Sequence, residues 1–215
     1  MSYLSSTSVA LFLFTATVLY LHPAPAVAQG KTQKISKNLV KRAEDMVKQV
    51  EKTRKQANKI VNKYDSIFSK NKVKDRQKEC KNLNKEIKKT EDGVKDVRKH
   101  AENMQKEADK FFSEWSKGLT NIKDQELRGL SHDNMIESRD RYGLVIESGL
   151  RAGGLYESFV TDLKNQISYL ELDMSDTAME KLKPSQSETK IKAKSLLQSV
   201  DQLTKTTKGY ISSMK

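Results

Sequence analysis

A single cysteine, Cys80, in 215 residues leaves no pair for a disulfide framework and no ligand set for a Cys-rich zinc site. Three prolines and nine glycines are too few for the many tight turns of an all-β chain. Hydrophobic residues make up 36% of the chain, whereas ordinary domains are nearer half apolar, so a broad globular core is not to be expected. Charge is missing locally as well. Residues 1–28 contain no Lys, Arg, Asp or Glu, so every charged side chain lies beyond them.

That uncharged segment carries the one long apolar run, Val9 to Leu21. Its 13 residues fit the h-region of a secretory signal and fall short of the ~20 needed to span a bilayer. His22-Pro23-Ala24-Pro25 breaks the run, and Ala26-Val27-Ala28 before Gln29 forms an A-x-A cleavage site. The sequence therefore predicts a signal peptide over residues 1–28 with cleavage at Ala28/Gln29, and a periplasmic or secreted mature protein. An uncleaved membrane anchor is the alternative, since the n-region has no Lys or Arg. No cysteine follows the run, which argues against a lipid anchor at that site.

Beyond a short linker expected at 29–34, the chain is dominated by heptads. Leu39, Ala43, Met46, Val50, Thr53, Ala57, Ile60, Tyr64 and Ile67 recur at alternating steps of four and three, with charged residues between them. This 3.5-residue period is a coiled-coil seam rather than a broad globular stripe. Ser36 is the expected N-cap, and the short polar Ser69-Lys70-Asn71 joins antiparallel neighbours. A second seam runs from Val73 through Arg76, Cys80, Leu83, Ile87, Thr90, Val94, Val97, Ala101, Met104, Ala108 and Phe111 to Trp115, with Gly118 placed for a left-handed cap. Because several seam positions are Ala, Thr, Cys or Arg, this hairpin is expected to need a partner.

A third helix, from about Asp124 and strongly from Met135, has the seam Tyr142, Val145, Gly149, Ala152, Tyr156, Phe159, Leu163, Gln166, Leu170. Gly143, Gly149, Gly153 and Gly154 disfavour a helix interior, and close approach to a neighbour is their expected return. No strand precedes them and no Gly-Lys-Ser/Thr follows, so they are not a phosphate loop. A fourth helix, capped by Asp173 or Ser175, runs from Met179 to Met214 with the same alternation. Pro184 falls inside it. The unchanged heptad phase favours one kinked helix, while the Ser185-to-Glu188 capping box favours two. The predicted fold is all-α: an elongated antiparallel four-helix bundle built from two long hairpins, a basic one over 35–117 and a neutral one over 124–215.

From Lys31 onward the sequence resembles the uncharacterised bacterial family called domain of unknown function 2959. The resemblance is carried by Phe111-Phe-Ser-Glu-Trp115, by Arg139-Asp-Arg-Tyr142 with Leu150, and by Ile167-Ser-Tyr-Leu-Glu-Leu-Asp173. It implies an exported or lipid-anchored coiled-coil protein of the Gram-negative envelope and no particular activity. A DNA-repair ATPase label sometimes given to members is not carried over, because this chain has no Walker A motif.

The search for chemistry leaves little. His100 and His132 remain after the signal, with no H-E-x-x-H and no second imidazole at metal-ligand spacing. Adjacent carboxylates such as Glu44-Asp45 and Glu91-Asp92 are what exposed helix faces carry, and the Glu-x-x-His pair of a di-metal bundle is missing. No enzyme and no cofactor are expected. Cys80, on the seam, is read as a small buried hydrophobe, with an intermolecular disulfide as the alternative. Phe111, Phe112 and Trp115 are read as a plug at the bundle end, with membrane or partner docking as the alternative.

The asymmetric feature is charge. Residues 31–123 hold 27 basic and 14 acidic side chains, whereas residues 124–215 hold 13 and 14. The leading expectation is a non-enzymatic exported scaffold or spacer of the bacterial envelope, whose helix faces hold a protein partner or a second copy of the chain. The alternative is a module binding polyanions or anionic lipid headgroups through Lys74, Lys78, Lys81, Lys85, Lys88 and Lys89, with no physiological nucleic acid expected.

Overall fold

A computed structural model describes residues 26–215, with side chains from residue 33 onward. The signal-peptide reading falls largely on residues outside that range. Four helices account for nearly all the described chain: α1 (Ala26–Phe68), α2 (Val73–Leu119), α3 (Gln125–Leu172) and α4 (Asp176–Ser213). Helix α2, with 47 residues, is about 70 Å long at 1.5 Å per residue. Short turns join successive helices, so the bundle runs up, down, up and down. Helix α1 packs against α2 and α4, and α3 packs against α4 and α2. The all-α bundle of two hairpins is thus the observed fold.

The heptad seams supply the core. Leu39, Ala43, Ile60, Ile67, Leu83, Ala108, Leu163 and Leu170 are fully buried, and the polar positions Thr90, Thr189 and Thr207 are buried beside them. The core divides into two apolar clusters along the rod. One, near the chain termini, gathers Leu39 to Val50, Met104 to Leu119, Met135 to Ala152 and Tyr210. The other, towards the α1–α2 and α3–α4 turns, gathers Ile60, Tyr64, Leu83, Ile87, Phe159, Leu163, Leu170 and Leu196. In the second cluster the Tyr64 hydroxyl donates to Gln166 Oε1, and Gln166 Nε2 donates to Thr189 Oγ1 at 2.7 Å. This buried chain of polar groups links α1, α3 and α4.

Several local expectations are corrected. Helix α1 begins at Ala26, so residues 29–34 are helical rather than a linker, and Ser36 is an interior residue rather than a cap. Helix α2 passes through Gly118 to Leu119. No glycine among the described residues has positive φ, so Gly118 is no left-handed cap. The last carbonyls are met instead by Asn121 N–H donating to Gly118 O and by Thr120 Oγ1 donating to Lys117 O.

The glycine expectation fails at all four positions. A Cβ at Gly143, Gly153 or Gly154 would meet nothing within 4 Å, and one at Gly149 would meet only Leu203 Cδ1 at 3.9 Å. The close approach occurs at Gly93, where a Cβ would lie 2.7 Å from Gln56 Oε1 and 2.9 Å from Thr53 Oγ1. There the Thr53 and Gln56 side chains of α1 fill the space that a Cβ would take.

At the other turn, Ser175 caps α4 by accepting from Ala178 N–H, while Asp173 accepts from the Ser175 N–H. Ser175 is therefore the cap of α4, and Asp173 holds the turn before it. Pro184 sits within one continuous α4, in keeping with the unbroken heptad phase.

Candidate polyanion-binding face

Lys74, Lys78, Lys81, Lys85, Lys88 and Lys89 are all exposed on α2. Each lies two residues before, or two after, a buried seam residue such as Arg76, Cys80, Leu83 or Ile87, which turns it away from the core. Lys89 reaches back to Glu86 at 2.8 Å. Among the described residues, no carboxylate lies within ion-pairing distance of the other five.

That freedom has a structural source. The carboxylates of the first hairpin are largely engaged, several of them by the second. Glu44 pairs with Lys215 at 3.0 Å, Glu51 with Lys208 at 2.7 Å, Asp65 with Lys190 at 2.9 Å and Glu91 with Lys164 at 2.6 Å. Within the hairpin, Glu79 accepts from Lys63 at 3.2 Å. Burial opposes ionisation of Glu79, but hydrogen bonds from Lys63 and Ser66 outweigh it and hold this carboxyl below its ordinary range. These acids point sideways towards neighbouring helices, and the six lysines point out.

These same bridges divide the six lysines. Glu79 faces α1, whereas Glu91 and Arg98 of α2 face α3, the latter pairing with Glu157 at 2.5 Å. Lys74, Lys81 and Lys88 follow the heptad positions that face α3. Lys89 stands on the α1 side, and Lys78 and Lys85 lie on the outer crest between the two, so the six are not one stripe. Across the hairpin lie three exposed α1 lysines outside those six, Lys52, Lys55 and Lys59. Their signal was available, since each occupies an outer heptad position, but only the hairpin register shows which α2 residues they accompany.

The other candidates settle into the fold. Cys80 is buried and reduced, and burial, with Glu171 and Glu79 nearby, pushes its thiol up to about 11. Phe111 and Phe112 are buried, and the half-buried Trp115 stacks edge-on against Phe111 at 5.3 Å while its Nε1 donates to Ser131 Oγ at 3.1 Å. Arg139 lies over the Phe112 ring at 5.1 Å, and Tyr142 meets the same ring at 6.2 Å. Two segments distant in sequence, 111–115 and 139–142, are thereby one aromatic cluster. His132 is exposed, 3.6 Å from Asp133, and His100 is half-buried on α2. Among the described residues no group of three or more His, Cys, Asp or Glu could hold a metal ion, and no helix is long and apolar enough to cross a membrane.

Comparisons with curated proteins and with solved structures return no match. A family model described as "Protein of unknown function (DUF2959)" matches residues 29–214, a range that takes in both hairpins and the aromatic cluster between them. The chain belongs to the DUF2959 family.

Proposed function

We propose that this chain is a non-enzymatic exported scaffold or spacer of the bacterial envelope. The observation that supports this reading best is a rod about 70 Å long whose seams are spent on one another and whose hairpin turns are tied together by Arg76. Such an object holds two things at a fixed separation or presents long helix faces to a partner. The Val9–Leu21 run and the Ala26-Val27-Ala28 site support export. Site-specific photo-cross-linking in intact cells, from exposed positions on each helix, tests it. Adducts with one envelope component from at least two helices are expected. A cytoplasmic chain, or no adduct from any position, overturns the reading.

The exposed lysines favour a second reading, in which the first hairpin binds polyanions or anionic headgroups. Attraction of this kind is Coulombic and weakens with salt. Retention on heparin and on anionic vesicles should fall steeply between low and physiological salt. Changing Lys74, Lys78, Lys81, Lys85, Lys88 and Lys89 together to Gln should weaken it further. Equal binding by the two proteins, or no binding at physiological salt by either, removes this reading.

A further inference from the structure

We infer that the binding surface is a compact patch formed jointly by α1 and α2 — Lys52, Lys55 and Lys59 with Lys78, Lys85 and Lys89 — and that its partner is the anionic headgroup surface of a lipid bilayer. The inference rests on the polyanion reading and makes it specific. Register comes from two contacts across the hairpin: Lys63 Nζ to Glu79 at 3.2 Å and Gln49 Nε2 to the Gly93 carbonyl at 3.4 Å. Carried along both helices, it sets Lys59, Lys55 and Lys52 level with Leu83, Ile87 and Thr90. They therefore stand among Lys78, Lys85 and Lys89.

The patch spans about a dozen residues of helix axis, ~18 Å, and the width of two helices packed 8–10 Å apart by the usual spacing. All six side chains are exposed. The α1 carboxylates at this height do not enter it, because Glu51 and Asp65 are held towards α4 by Lys208 and Lys190. The neighbouring outer positions are Asn62 and Asn82, and acid returns only towards the ends, at Asp75 and Asp92. Glu86, beneath the patch, is bound by Lys89.

Shape and composition choose the partner. A single nucleic-acid strand is held by a groove that tracks its backbone and by aromatic rings that stack its bases. Here the charge is spread in two dimensions on a ridged, open face, with no aromatic residue at the outer positions between Lys52 and Lys59 or between Lys78 and Lys89. Compact ammonium groups on flexible stems, all on one side of a rigid rod, match a plane of mobile phosphate headgroups. Each lysine brought to such a surface adds roughly fivefold to partitioning, so three together should be worth well over tenfold. The rod would lie with its axis along the membrane.

The test compares the exported chain with three exposed-surface variants carrying the same amino terminus, so that any contribution of residues before α1 cancels. They are Lys52, Lys55 and Lys59 to Gln, Lys78, Lys85 and Lys89 to Gln, and Lys74, Lys81 and Lys88 to Gln. Circular dichroism confirms that each folds. Co-sedimentation is measured with vesicles of phosphatidylglycerol and phosphatidylethanolamine at physiological salt, and with a DNA duplex at the same salt. The first two variants should lose at least tenfold in vesicle partitioning and the third less than about threefold. If the α1 variant binds vesicles like the parent while the six-lysine α2 variant does not, the joint patch is wrong and the polyanion reading survives. If the parent prefers the duplex to the vesicles, the lipid assignment is overturned. If the parent binds neither, both readings fall.

Discussion

The guanidinium of Arg76, in the first turn of α2, donates through Nη1 to the carbonyl of Met174 at 2.8 Å, in the turn before α4. Its Nε donates to the Lys70 carbonyl at 2.7 Å and its Nη2 to Asp176 Oδ1 at 2.6 Å. One buried side chain thus joins both hairpin turns at the same end of the bundle. The rigid planar fork, with donors on three nitrogens, suits this task, whereas an ammonium offers its three donors from a single nitrogen.

Arg76→Ala should therefore cost about 2–4 kcal/mol, because two turn carbonyls lose their donor as well as the hydrogen bonds themselves. Arg76→Lys should recover less than half of that loss. Asp176→Asn should cost under about 1 kcal/mol, since the Asp176 side chain is 86% exposed and its pairing is screened. Urea unfolding of the three variants checks the order, and equal losses for Arg76→Ala and Asp176→Asn would contradict it.

Gly93 and Gly154 should respond oppositely to added side chains. Gly93→Leu forces α1 and α2 apart at Thr53 and Gln56 and should destabilise by about 1–3 kcal/mol. Gly154→Ala meets open space and should stabilise by ~0.5–1 kcal/mol through helix propensity and a less flexible unfolded chain. Thermal unfolding of both variants distinguishes the signs.

Leu163→Asp places an unpaired carboxylate at a position with no exposure and should cost several kcal/mol, on the order of 3–5. Val94→Asp should cost less, since Val94 is half-buried, and Lys88→Asp on the outer surface should stay within about 0.5 kcal/mol. Chemical unfolding of the three proteins tests whether the heptad phase describes the core.

Stability should fall on the alkaline side. Burial raises the phenols of Tyr64, Tyr142, Tyr156 and Tyr210, the last to about 12, and raises the Cys80 thiol to about 11. In the unfolded chain these groups ionise nearer their ordinary values of 10 and 9. Above those values the unfolded state holds fewer protons than the folded one, so each further rise in pH favours unfolding. The tyrosinate absorbance of these four buried phenols should appear together with loss of helix. Ionisation of these phenols near pH 10 in a chain that remains helical would contradict their burial.

Cys80 should resist alkylation in the native protein, and non-reducing gels should show monomer, because its sulfur is buried and held as a thiol. Denaturant should expose it at once. A disulfide-linked dimer from native protein would mean that α2 opens more readily than its packing indicates.

Along the chain itself, the spacing of apolar residues determined four helices, their antiparallel pairing and most of the core. A 3.5-residue period can be satisfied only by burying that stripe against another helix. The short connections left no other direction for the next helix. Composition alone also determined where the excess positive charge lies. What only the tertiary structure decided was which groups meet across helices. Arg76 read as a weak seam position until the Met174 carbonyl, 98 residues away in sequence, came within its reach. Gly93 is one of several helical glycines in the sequence, and only the register against Gln56 marks it as the tight one. The six α2 lysines look like a single band, yet the partners of Glu79 and Glu91 show that Lys89 falls towards α1, Lys74, Lys81 and Lys88 towards α3, and Lys78 and Lys85 on the crest between. Periodicity specifies the angle of a side chain about its own helix axis; its neighbours depend on the height and rotation of the next helix, which are set when the seams interlock.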